Sequence, residues 1–77
     1  MIDTTGRHPG TANIARFFDA THLSRGDMRS VSQACCDLAE AMIVALPDGP
    51  ELTAGLRKLL EAKDCFVRAA LPAPDGT

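Results

Sequence analysis

The side chains able to do chemistry in this chain gather mainly in one short run, Thr21-His22-Leu23-Ser24-Arg25-Gly26. It sets hydroxyls, a cation and a glycine at the amino end of an expected helix, where unpaired amide groups and the helix dipole attract anions. Ordinary capping of that helix by Ser24 or Asp27 explains the same residues and, on this run alone, ranks first. Elsewhere the ingredients of catalysis do not converge. His8 and His22 sit in loop-like sequence, and no Ser-His-Asp or Cys-His order stands out. Cys35 and Cys36 are adjacent on an expected helix and so point in different directions, Cys35 as a small core residue. There is no CxxC, no HxxxH, no carboxylate cluster and no glycine-rich phosphate loop. Neither catalysis nor a metal or other cofactor is expected.

Two helices must position whatever chemistry there is. Asp48-Gly49-Pro50-Glu51 reads as a helix start, with Asp48 as cap, Glu51 reaching back to it and Pro50 in the first turn. The helix it opens runs over about 51–71, with Leu52, Leu56, Leu59, Phe66 and Ala70 recurring on one side. Gly55 interrupts it, and Arg57, Glu61, Asp64 and Arg68 can form a ladder of charges on another face. The preceding helix, over about 28–46, carries Met28, Val31, Cys35, Leu38, Met42 and Ala45 at alternating intervals of three and four, the heptad pattern. Pro47 ends it. So short a turn makes neighbouring helices antiparallel.

The remaining sequence is slighter. Residues 1–12 are rich in Gly, Thr and Pro without periodicity and read as a flexible arm; 72–77 read as a disordered tail after the stop at Pro72. Between arm and hairpin lies an apolar lead-in, Asn13 to Asp19, whose Phe17 and Phe18 cannot both face one core in a strand. Packing over the helix pair accounts for at least one of them. The expectation is a single all-α domain over 13–71: an antiparallel helical hairpin with a short N-terminal lead-in segment, assembling into a compact homo-oligomer.

Size and charge give the reasons for assembly and narrow the partners. A chain of 77 residues buries a small share of its surface and is marginal alone. Three cysteines, two of them adjacent, suit free thiols in a reducing cytoplasm better than disulfides. No secretion signal opens the sequence, and the longest apolar run, Ala41 to Leu46, is far short of a membrane span. A net charge of −2 argues against a general binder of nucleic-acid polymers. The basic residues nevertheless fall in two groups, Arg7, Arg16, Arg25 and Arg29 before the hairpin and Arg57, Lys58, Lys63 and Arg68 in its last helix. Self-association is the favoured remedy for the small core.

One resemblance sharpens this. ELTAGLRKLLEAKDCFVRAAL is similar to the carboxy-terminal helix of small phage proteins that sequester cyclic nucleotide signals, the anti-CBASS and Thoeris anti-defence sponges. The matching features are Pro47, Glu51, Leu56, Lys58, Leu59, Glu61-Ala62 and Ala69, with Val31 to Ala39 and Met42 in phase upstream and Phe17 to Leu23 matching more loosely. The resemblance implies a helical domain forming a homo-hexamer in the host cytoplasm. Between protomers it would bind cyclic di- or trinucleotides or cyclic ADP-ribose isomers without cleaving them. It also implies roles: Phe18, or Phe17, stacks on a base where the family has a tyrosine, Ser24 and Arg25 hold phosphate, and Arg57 and Lys58 meet a second ligand class. Ser32 and Cys36 stand at positions that are basic in the family, and Pro50 stands where it often has arginine.

Two other classes fit the sequence. A small helical oligomer can be an interaction module that binds a host factor through its Leu/Met stripe. A DNA-associated regulator comes third, because the helix at 28–46 is acidic and no recognition helix is evident.

Overall fold

A computed structural model of the chain describes residues 2–20 and 26–71. These form three α-helices, and no strand occurs among the described residues: α1 (Pro9–Ala15), α2 (Gly26–Ala45) and α3 (Pro50–Ala69). The expected tail at 72–77 lies outside them.

Residues 2–12, part of the stretch expected as a flexible arm, pack onto the helices and include the start of α1. The docking begins with local chemistry. Asp3 Oδ1 accepts from the amide (3.0 Å) and the hydroxyl (2.6 Å) of Thr5. Gly6 then takes φ of 78°, a left-handed conformation that costs glycine little, and the Arg7 amide closes the turn onto the Thr4 carbonyl at 2.9 Å. Arg7 is thereby aimed at the end of α2. Its guanidinium donates to the carbonyls of Ile43 and Leu46 and to Asp48 Oδ1, so a cation satisfies carbonyls that the helix leaves unpaired. His8 caps α1, its Nδ1 accepting from the Gly10 amide at 2.9 Å, and Pro9 fills the first turn, where no amide donor is needed.

Asp48 is engaged with this segment instead of capping α3. Its carboxylate accepts from the His8 amide (3.0 Å), the Thr11 hydroxyl (2.8 Å) and Arg7 Nε (3.0 Å). The N-cap of α3 is Gly49, which makes no side-chain capping bond, so the expected capping box does not form. Asp48 ties the segment before α1 to the turn before α3.

The core lies where these parts meet. Ile2, Ile14, Ala15 and Phe18 pack with Cys36, Ala39 and Ile43 of α2 and Leu52 and Leu56 of α3, with Leu59 and Leu60 at its edge. Phe18, Ile43 and Leu56 are each at most 2% exposed, and burying such a side chain stabilises by about 1.5–3 kcal/mol. The face of α2 that is buried therefore runs through Ser32, Cys36, Ala39 and Ile43. The expected stripe through Met28, Val31, Cys35, Leu38, Met42 and Ala45 is rotated away from the core. Of it only Cys35 is buried, while Leu38 stays 49% and Met42 38% exposed. The reason is the docked amino-terminal segment. Its apolar side chains give α2 a second neighbour, and α2 turns its small residues into the space between that segment and α3.

The charge ladder expected on α3 does not close, since no ion pair joins Arg57 to Glu61 or Asp64 to Arg68 among the described residues. Arg68 instead donates to Cys65 Sγ at 3.3 Å, and the buried Lys63 lies 3.9 Å from Asp64.

Candidate functional site

On α3, Thr53, Arg57 and Leu60 follow one another at intervals of four and three, which places them on one face. That face turns toward α1. Together with Gly10, Asn13 and Ile14 of α1, and with Arg16 and Phe17 just beyond it, these residues line an open cleft of about 510 Å³. A second hollow of about 510 Å³ adjoins it at the α3 end, lined by His8, Gly10, Asp48, Gly49, Pro50, Thr53 and Arg57. Gly10, Thr53 and Arg57 are common to both, so the two form one continuous surface across α1 and the first turns of α3.

Its chemistry is specific. Two guanidinium groups, Arg16 and Arg57, border the cleft, and no carboxylate pairs with either among the described residues. The carboxylate that lines this surface, Asp48, is already paired with Arg7. The His8 amide, then the Thr11 hydroxyl, holds its carboxyl below the usual carboxylate range. The Arg16 side chain folds back, with Nε donating to the Asn13 carbonyl at 3.2 Å and its guanidinium carbon 4.8 Å from the centroid of the Phe17 ring. This is a cation–π pair at the surface. Phe17 remains 52% exposed. An aromatic face, two cations, a hydroxyl and an amide suit a planar ligand that carries phosphate.

The residues singled out in the sequence fall in four places. Arg57 lies in the cleft. Phe18 is in the core at 2% exposure and presents no free ring face in this chain; Phe17, its alternate, is the exposed ring. Lys58 is exposed but follows Arg57 by about 100° around the helix, which takes it out of the cleft. Ser24 and Arg25 lie outside the described residues. Ser32 and Cys36 are both buried, so neither side chain is on the surface.

His8, Asn13, Arg16 and Thr53 are the cleft residues that sequence reasoning did not single out. A signal for α1 was there. His8-Pro9 is a cap followed by proline at the first helical position, but the run is only seven residues long and too short to show a period.

Other groups offer less. Burial raises the Cys36 thiol above its usual value, which keeps it protonated and unreactive. The Ser32 hydroxyl is buried with no nitrogen or oxygen partner; the Cys36 thiol lies beside it, and the hydroxyl holds that thiol down slightly against the effect of burial. No group of three or more His, Cys, Asp or Glu among the described residues is placed to hold a metal. No helix among them is long and apolar enough to cross a membrane. Comparison of the chain with protein-family models, curated proteins and solved structures finds no match.

Proposed function

We propose that the protein binds and sequesters cyclic nucleotide second messengers of bacterial anti-phage defence, and that it does so for a phage, in the host cytoplasm. The ligand is a cyclic di- or trinucleotide or a cyclic ADP-ribose isomer, held without cleavage. In this reading α2 and α3 form an antiparallel hairpin and copies of the chain assemble, as a homo-hexamer in the form that the family resemblance implies.

The single observation that carries the proposal is the α1–α3 cleft, where Arg16, Arg57 and the half-exposed Phe17 ring border one surface. A base stacks on Phe17 while the two guanidinium groups meet its phosphates. Each charge-assisted hydrogen bond of this kind contributes about 1.5–3 kcal/mol. Arg57, first given with Lys58 to a second ligand class, here meets the phosphates of the stacked ligand, Phe17 takes the stacking role, and Ser24, Arg25 and Lys58 remain candidates for other parts of the ligand or for a second ligand class.

Calorimetric titration with a panel of the three ligand classes tests this. At least one is expected to bind, and chromatography of the recovered ligand should return it unchanged. Absence of heat and of any thermal shift across the whole panel overturns the reading, and conversion of the ligand overturns the sequestering mechanism.

A further inference from the structure

We infer that the hollow at the start of α3 takes a guanine base and that Asp48 reads its N1–H edge. The inference rests on the cyclic nucleotide reading and gives it a base preference. The hollow holds about 510 Å³ and meets the cleft at Gly10, Thr53 and Arg57. A ligand with one base on Phe17 and a phosphate at Arg57 has this hollow on the far side of that phosphate. Its volume falls within the range of ordinary small-molecule sites, so a second base fits there.

Most hydrogen-bonding capacity in the hollow is already used, and what is left matches guanine. Asp48 Oδ1 accepts twice, from Arg7 Nε at 3.0 Å and from the Thr11 hydroxyl at 2.8 Å. Oδ2 accepts once, from the His8 amide at 3.0 Å. Each carboxylate oxygen has two lone pairs, so one acceptor position remains on Oδ2. The side chain is 31% exposed and lines the hollow. The Thr53 hydroxyl proton is given to the Gly49 carbonyl at 3.2 Å. His8 Nδ1 accepts from the Gly10 amide at 2.9 Å, which puts the ring proton on Nε2 and leaves His8 a donor.

The Watson–Crick edge of guanine carries an acceptor, O6, beside two donors, N1–H and the 2-amino group. N1–H meets Oδ2, the amino group lies against the same carboxylate, and O6 takes a donor from Arg57 or His8. Adenine has a lone pair at N1 where guanine has a hydrogen, and an ionised carboxylate has no proton to offer it. The bonds from the His8 amide and the Thr11 hydroxyl, which hold the Asp48 carboxyl low, keep it ionised at neutral pH. Its pairing with Arg7 offsets its repulsion of a phosphate at Arg57. The hollow therefore carries the acceptor that guanine needs and adenine cannot use at N1.

Calorimetric titration of the full chain with cyclic di-GMP and cyclic di-AMP tests this, because the two share size, charge and phosphates and differ at the base edge. Cyclic di-GMP is expected to bind about tenfold tighter or more. Cyclic di-IMP, which keeps N1–H and lacks the 2-amino group, should stay closer to cyclic di-GMP than to cyclic di-AMP. In Asp48→Asn, checked for helicity by circular dichroism, the ratio of the two affinities should fall toward one, since the amide can also donate to adenine N1. A merely structural role would weaken both ligands together and leave the ratio alone. If that variant does not fold, the wild-type comparison decides. Equal affinities, a preference for cyclic di-AMP, cyclic di-IMP following cyclic di-AMP, or an unchanged ratio in folded Asp48→Asn each overturns the inference and leaves the sponge reading standing. Failure of every guanine ligand to bind overturns it as well. Preference for 5′-GMP over 5′-AMP with no cyclic ligand bound would instead overturn the sponge reading and keep the base assignment.

Discussion

Arg7 and Asp48 meet at 3.0 Å although 41 positions separate them in the chain. The pair is a junction rather than a surface ion pair. Arg7 also covers two carbonyls at the end of α2, and Asp48 also accepts from His8 and Thr11. Removing either partner leaves several groups without their hydrogen bonds.

Asp48→Asn should therefore lower the melting temperature more than Glu51→Gln, since Glu51 makes no capping bond. The pH dependence has a definite sign. The Asp48 carboxyl is depressed in the folded chain, so its bonding stabilises fully above the ordinary carboxylate value and is lost as pH falls through the depressed one. Acid titration of unfolding should show a low-pH loss in the wild type that is smaller in Asp48→Asn.

The neighbouring phenylalanines should behave as opposites. Phe18→Ala empties a fully buried site and is expected to cost about 3–5 kcal/mol in denaturant unfolding. Phe17→Ala removes a half-exposed ring and should stay near the range of surface changes, within roughly 0.5 kcal/mol of wild type. In ligand titrations the order reverses, with folded Phe17→Ala losing affinity.

Arg16→Ala and Arg57→Ala should each weaken a bound cyclic nucleotide by about tenfold or more, which corresponds to roughly 1.4 kcal/mol. If the ligand sits in the cleft alone, Lys58→Ala should leave that affinity within error. Equal losses at Arg57 and Lys58 would move the ligand to the rim of α3.

Ser32→Ala should be neutral or stabilising. The hydroxyl is buried with no nitrogen or oxygen partner and only the weak Cys36 thiol beside it, so its removal relieves part of a desolvation cost of about 1–3 kcal/mol. Thermal melts of the two proteins compare directly, and a clear loss in Ser32→Ala would reveal a bond that the hydroxyl makes in solution.

The thiols should divide by location. Cys65 is exposed, while Cys35 and Cys36 are buried. A thiol reagent should label Cys65 quickly under native conditions and reach the other two only on unfolding. Three equally fast thiols would show that α2 detaches readily.

The two long helices were readable because each repeats its apolar residues over several turns and each is bounded by proline. The boundaries near Pro47 and Pro50 follow from that chemistry. The orientation of α2 was not readable. Its most regular stripe is largely the exposed one, and the buried face runs through Ser32, Cys36, Ala39 and Ile43, the first three too small to stand out in sequence. The cleft was half legible. Arg57 stood out within a periodic helix, but Arg16, Asn13 and His8 depend on α1, whose seven residues carry no period. Asp48 was assigned to the helix that follows it, as capping rules suggest. A donor set 37 to 41 residues upstream has no local signature.

Those same upstream donors bear on how the chain acquires its shape. Ile2, Ile14 and Phe18 are made early, yet their core partners include Ile43, Leu52 and Leu56, and the Arg7 tether waits for Asp48. A bundle of three helices would ordinarily have low contact order and fold through neighbours in sequence. Here the amino-terminal segment finds its first core partners in α2 and its full set only when Leu52 and Leu56 of α3 are present. During translation this segment therefore stays only partly sheltered until the first turns of α3 are made, even though the fold contains nothing but helices among its described residues.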